Sequence, residues 1–251
     1  MFILKMPFSV SKPAGTGNKK GGVSRVVKSI VIILVTAVVV IFVFYAIYLP
    51  RVTQPPASII ALKSTEVKEY QGQNLSSIAD FIETSIKGPQ YVDVNKYTLG
   101  VEGMVDKKLD LTYDQVLKHD KYLKVVTLNC VEGWSVKILW EGVLLKDLLM
   151  QAGIKPGSNT VIFYAYDGYS SSLPLDYVMN QNIILADKMN GVVIPPERGF
   201  PFVVVAESKW GYKWVKWVTK IVISNDPSFK GYWEQRGYSN NGDFSGPMFG
   251  E

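Results

Sequence analysis

The sequence predicts a domain that mixes strands with short helices, set behind one long apolar helix. Three observations carry this. Residues 29–50 hold no charge, and residues 30–49 are almost wholly apolar. Beyond about Pro89, β-branched runs such as Thr160-Val-Ile-Phe-Tyr-Ala-Tyr166 recur, as buried strands require. Between them lie short helical signals with capping residues in front and glycine behind.

Taken in order, residues 1–28 are rich in Gly, Lys and Ser and predict a disordered basic arm. Residues 29–50 predict a transmembrane anchor, because about 20 apolar residues make roughly 30 Å of helix. The run closes on Phe44-Tyr-Ala-Ile-Tyr48-Leu49, bulky where a signal peptidase needs small residues, so the span is expected to stay uncleaved. Its tyrosines suit the membrane interface. Lys19, Lys20, Arg25 and Lys28 precede it, against Arg51 and Lys63 behind. The positive-inside rule then predicts a single-pass cell-membrane protein, N-terminus cytoplasmic and residues 51–251 extracytoplasmic. Residues 51–88 read as a tether stiffened by Pro55-Pro56, and Leu75, Ile78, Ala79, Ile82 and Ile86 share one face of a possible short helix.

Residues 89–251 form the globular domain. Residues 97–105 alternate as a half-buried strand, and Thr112-Tyr-Asp-Gln115 has capping-box spacing for a helix reaching Lys118. Tyr122-Leu-Lys-Val-Val-Thr-Leu128 is the next strand. Residues 143–152 read as a helix stopped by Gly153, and residues 160–166 as a strand closed by Asp167-Gly168. A helical turn at 176–179 and a strand at 182–186 lead to the rigid Pro195-Pro196-Glu-Arg198-Gly connector. Phe202-Val-Val-Val-Ala206 is a buried strand. Basic and aromatic residues interleave from Lys213 to Lys220. With a net charge of only +5, they read as strand faces and site walls, and no nucleic-acid partner is expected. The tail from Gly231 to Asp243 is too aromatic for a disordered end and is expected to fold back over the domain.

The chain has one cysteine, Cys130, and one histidine, His119. That excludes an intrachain disulfide, a multi-cysteine zinc or iron–sulfur site and a bis-histidine haem. A metal here must bring most of its own ligands. Cys130 falls where a strand ends and a loop begins, a usual place for chemistry, and its thiolate is a soft metal ligand. The alternative is a small buried hydrophobe. A cysteine hydrolase ranks last, since no Cys-His-acid set is evident.

Three segments resemble the molybdenum-cofactor domain of the sulfite oxidase family. They are Cys130-Val-Glu-Gly-Trp134-Ser with Trp140-Glu-Gly142, then Gly199-Phe-Pro201 through Trp210-Gly-Tyr-Lys213-Trp-Val-Lys216-Trp, and Gly231-Tyr-Trp-Glu-Gln-Arg236-Gly-Tyr238. The likeness runs from about Tyr97 to Asp243 and is greatest to exported bacterial members. It implies an α+β, β-rich mixed sulfite-oxidase-type molybdopterin-binding fold, with Cys130 as the one protein thiolate on molybdenum. It places Tyr164, Ala165, Arg198, Trp214, Val215 and Lys216 against the cofactor. Arg236, whose planar fork suits oxyanions, is expected to meet an anionic substrate; a structural pairing with Glu234 or Asp243 is its alternative. Exported relatives carry an arginine where this chain has Val203, and a twin-arginine signal where Ser24-Arg25-Val26-Val27-Lys28 has one arginine. The implied activity is a molybdenum-cofactor oxidoreductase moving an oxygen atom to or from a small substrate, fed by a separate electron carrier. The competing reading is a cofactor-free binding or structural module that keeps the fold.

Overall fold

A computed structural model describes residues 25–48 and 55–250; most of the basic arm and the start of the tether lie outside the described residues. The chain divides into two compact units at Val52/Thr53. The first is helix α1, Arg25–Tyr48, 24 residues long. Its side chains are described for residues 27–43, and all of these are exposed. The Thr36 hydroxyl is satisfied within the helix, donating to the Ile32 and Ile33 carbonyls, the usual resolution for a hydroxyl in an apolar helix. Among the described residues no helix is long and apolar enough to cross a membrane.

The second unit packs two five-stranded sheets and short helices around one core. Its first part is a short helix α2 (Ala57–Ala61) and a two-residue hairpin, β1 (Glu69–Tyr70) with β2 (Gln73–Asn74). The expected amphipathic helix over 75–86 is absent. Only a 3-10 turn, Ile78–Asp80, forms, capped reciprocally by Ser77 and Asp80. The cause is competition for backbone groups. Ser76 N–H donates to Lys137 O, and Ile78 N–H donates to the buried Glu66 carboxylate at 2.8 Å. Both bonds bind this segment to the domain and draw it out of helical geometry, so residues 76–91 cross the domain as a strap.

One sheet runs β4-β3-β12-β7-β8, from β3 (Thr98–Gly103), β4 (Leu109–Thr112), β7 (Thr160–Ala165), β8 (Ser170–Pro174) and β12 (Val218–Ser224). Only the β3–β12 pair is parallel. The other runs β10-β9-β6-β5 with β11 beside β9, from β5 (Lys121–Asn129), β6 (Ser135–Leu144), β9 (Ile184–Met189), β10 (Val192–Val193) and β11 (Val203–Val205). Helix α3 (Tyr113–Leu117) carries the expected Thr112/Gln115 capping box in full. Helix α4 (Leu145–Ala152) ends at Gly153, φ 73°, but begins two residues late because Val143 and Leu144 pair with β9. Helix α5 (Leu175–Asn180) follows β8.

Leu99, Val101, Phe163 and Ile221 from the first sheet and Ile138, Trp140, Val143, Leu185 and Val204 from the second share one core with Leu145, Leu148 and Leu149 of α4. Each such burial stabilises by about 1.5–3 kcal/mol. The sheets differ from a simple stack at Gly142. There the β6–β9 register shifts, and an added Cβ would lie 2.2 Å from the Leu185 carbonyl oxygen. The aromatic tail folds back as expected. Tyr238 bridges Phe249, and Trp210 N–H donates to Gly242 O.

Candidate active site

Strand β5 ends at Asn129, which still pairs with Ser135 of β6. The five residues between them form the loop that carries Cys130. Cys130 N–H donates to Trp134 O at 2.9 Å, and Gly133 N–H returns to Cys130 O at 3.1 Å. Gly133 makes this turn at φ 87°, the left-handed region that suits glycine. The strand-to-loop position read from the sequence is therefore correct, and the thiol is fixed by a rigid hairpin rather than a mobile end. Cys130 is buried, 9% exposed. Burial holds its thiol above the usual range, with the Glu132 carboxylate adding to that, while the backbone N–H of Glu132, the Lys216 ammonium and the backbone N–H of Val131 pull against it.

The second wall comes from residues 196–204 and 214–218. Trp217 N–H donates to Gly199 O, Val218 N–H to Phe202 O and Val204 N–H to Val215 O, which sets the two segments side by side. Gly199 sits at φ 120°, and a Cβ there would fall 2.4 Å from Val203 Cγ2 and 3.0 Å from Lys216 Cβ. Only glycine lets those two side chains approach. Trp214 is buried, donates its indole N–H to Lys209 O at 3.1 Å and stacks 5.7 Å from Trp140. Val215 is fully buried.

Two cations project from this wall, and neither is held by its own segment. Lys216 Nζ reaches Glu83 Oε1 at 3.0 Å and Thr84 O at 2.7 Å, lying 4.5 Å above the Trp217 ring. Arg198, 5% exposed, donates from Nε to Ile78 O at 3.2 Å and from Nη2 to Phe81 O at 3.1 Å. Burial lowers both, against the opposing pull of Glu83. Buried cations are costly unless paired, and Arg198 bonds here to carbonyls rather than to a carboxylate. Phe81 closes the strap side, 5.9 Å from Trp134 and 6.3 Å from Trp140.

The structure thus brings Cys130, Arg198, Trp214, Val215 and Lys216 to one region. Ala165 joins through the backbone: it pairs with Val218, and Tyr166 N–H donates to Trp217 O. Tyr164 points elsewhere, its ring 4.8 Å from Lys220 Nζ and 6.3 Å from Phe229. Arg236 is exposed, donates to Tyr232 O and lies 3.6 Å above the Tyr232 ring. Its alternative acid partners are both taken, Glu234 by Lys213 and Asp243 by Lys209. Sequence reasoning missed Phe81, Glu83 and the buried Asp167, whose charge acts on Lys216. A need for counter-charge near Lys216 was the only available signal.

The residues fit the molybdenum cofactor. A soft thiolate is held at a rigid strand end, and a lysine and a guanidinium without a carboxylate of its own are set to receive a phosphate. Cys130 would hold the metal; Lys216, Arg198 and the backbone around Val215 would hold the pterin phosphate.

The comparisons agree. Residues 86–233 match the family model described as the oxidoreductase molybdopterin binding domain. The uncharacterized oxidoreductase YuiH of Bacillus subtilis is 34% identical over 156 residues, 62% of this chain and 78% of that one. The putative protein-methionine-sulfoxide reductase subunit YedZ1 of Azospira oryzae is 30% identical, over 59% of this chain and 56% of that one. Rat mitochondrial sulfite oxidase is 29% identical over 59% of this chain and 32% of its own. In three dimensions the sulfane dehydrogenase SoxCD of Paracoccus pantotrophus shares the fold, with a TM-score of 0.60 at 20% identity over 74% of this chain and 56% of that one. The chain belongs to the oxidoreductase molybdopterin-binding domain family, the family of sulfite oxidase, and is a molybdenum-cofactor enzyme.

Proposed function

We propose that this chain is a membrane-anchored, extracytoplasmic oxidoreductase that moves an oxygen atom to or from a small substrate. The observation that carries the reading is the buried Cys130 held at a fixed strand end, with the Lys216 ammonium near enough to act on its thiol. When bound, the cofactor supplies the two-electron redox and oxo chemistry. The protein's part is to donate one thiolate, neutralise phosphate with Lys216 and Arg198, and exclude water with Trp134, Trp140 and Phe81. Arg198 takes the place of the arginine that exported relatives carry at the position of Val203. Val203 packs against Gly199, beside Arg198, so the positive charge is kept on the same wall from five residues upstream.

Relatives named for sulfite, nitrate and methionine sulfoxide support a substrate whose sulfur or nitrogen receives or gives up an oxygen. A separate electron carrier returns the site to its starting state. Arg236 is exposed and lies over the Tyr232 ring, so its free face is open to an anion. The sequence supports the anchor: residues 30–49 are almost wholly apolar, which in water is unfavourable and in lipid is not.

Cys130→Ser tests the reading. The hydroxyl is close in size to the thiol, so the fold should persist by circular dichroism and thermal melting. Serine is a much harder donor, so activity and thiolate-to-metal absorption should vanish while pterin fluorescence after oxidation remains. A variant that keeps both activity and spectrum makes Cys130 a core residue and overturns the assignment.

A further inference from the structure

The strap poses a problem that the cofactor reading does not by itself resolve. The Lys216 ammonium set to receive phosphate is already engaged, with two of its three donors on Glu83 Oε1 and Thr84 O. We propose that residues 82–84 are a loading latch: Glu83 is the counter-ion of Lys216 in the cofactor-free enzyme, and an arriving phosphate takes its place. This rests on the cofactor reading above.

The geometry separates a fixed part of the strap from a releasable one. Residues 76–81 are held at several points, by a neutral amide, by backbone carbonyls that accept from Arg198 and by ring packing, with no carboxylate of theirs paired to Lys216. Asn190 Nδ2 donates to Ser76 O at 2.8 Å, Arg198 holds the Ile78 and Phe81 carbonyls, and the Phe81 ring packs on Trp134 and Trp140. Residues 82–84 have a different character. Ile82 is 41% exposed, and the tie here is the bond to Lys216, an ion pair whose side chains are each about a fifth exposed. A phosphate carries more charge and more acceptor oxygens than one carboxylate, and so competes well for an ammonium. Once displaced from Lys216, the Glu83 carboxylate must share the Lys216–Arg198 cations with the more highly charged phosphate, so like-charge repulsion drives residues 82–84 outward. The hinge stays put at Phe81, and the aromatic wall beside Cys130 is not disturbed. Before loading, the same pairing relieves the cost of leaving Lys216 and Arg198 side by side without an anion.

The test uses the full-length chain made in a host without molybdopterin synthesis, as wild type and Glu83→Gln, matched first by thermal melting. Molybdopterin released from a denatured molybdoenzyme is added, and uptake is followed by pterin fluorescence after oxidation. Hydrogen exchange at residues 77–85 is read before and after loading. Glu83→Gln should load about five-fold faster, the scale of a half-buried ion pair, and bind inorganic phosphate correspondingly tighter. In wild type, loading should raise exchange at residues 82–85 and leave residues 77–81 unchanged. If wild type loads but Glu83→Gln loads no faster, or loading leaves exchange at 82–85 unchanged, the latch is overturned and the cofactor reading stands. If wild type retains no pterin, the cofactor reading itself is overturned and the latch with it.

Discussion

Lys213 and Glu234 meet at 2.7 Å with neither side chain touching solvent. Ser171 adds a hydrogen bond to the same carboxylate oxygen, and the other oxygen, Oε2, has no partner among the described residues. Burial lowers the Lys213 ammonium, and Glu234 opposes that. Such a pair adds little net stability, but removing one member leaves a buried charge uncompensated, at about 3–5 kcal/mol. Glu234→Ala should therefore lower the unfolding free energy by that amount, seen as a fall in the urea midpoint, and loosen the tail. Replacing both residues with methionine should recover most of the loss, which equilibrium denaturation would show. At this scale the sequence told unevenly. Cys130 was readable because a β-branched run stops just before it. The partners of the charges were not: Lys216 and Glu83 are 133 positions apart, and no local pattern joins them. Arg236 shows the same limit, since its acids were recruited by Lys213 and Lys209 and its own contact is the neighbouring Tyr232.

Among the elements, those whose instructions are local came out as read. Helix α3 begins at its capping box, and helix α4 stops at Gly153. The errors arose where tertiary bonds outbid local periodicity. Leu75, Ile78 and Ala79 have helical spacing, yet Glu66, Lys137, Asn190 and Arg198 claim the backbone around them. Val143 and Leu144 join β6 for a similar reason. The lysine- and tryptophan-rich stretch reads as strand faces and site walls, but Gly211–Lys213 forms a 3-10 turn and the strand proper is Val218–Ser224. Gly142 marks how tightly β6 meets β9. Gly142→Ala puts a methyl 2.2 Å from one backbone atom and 2.5 Å from another, so the register shift must open. The expected cost is about 1–3 kcal/mol or more, read as a fall in melting temperature of the purified protein. An unchanged melt would mean that β9 gives way freely.

Over the whole molecule, the proposed topology makes one clear demand. Protease added to intact spheroplasts should digest residues 55–250 and leave a short fragment containing residues 29–50. Protection of the domain, or a mature N-terminus near residue 50, would count against the anchor. The β-rich fold was legible from composition and motif order; the two-sheet partition was not, because strand neighbours such as β3 and β12 are set by long-range pairing.

That parallel pairing has a temporal side. Strand β3 is laid down near residue 100, yet its central neighbour β12 ends only at Ser224. A chain emerging from the ribosome therefore carries β3 with an open edge for more than half the domain's synthesis, and β7 with another from Ala165 until β12 is made. Pairing so distant in sequence is slow and exposes sticky edges. The domain cannot ripen piecemeal; its central sheet closes only after nearly the whole chain has been made. Any early stop before β12 should yield an aggregating fragment rather than a smaller working enzyme.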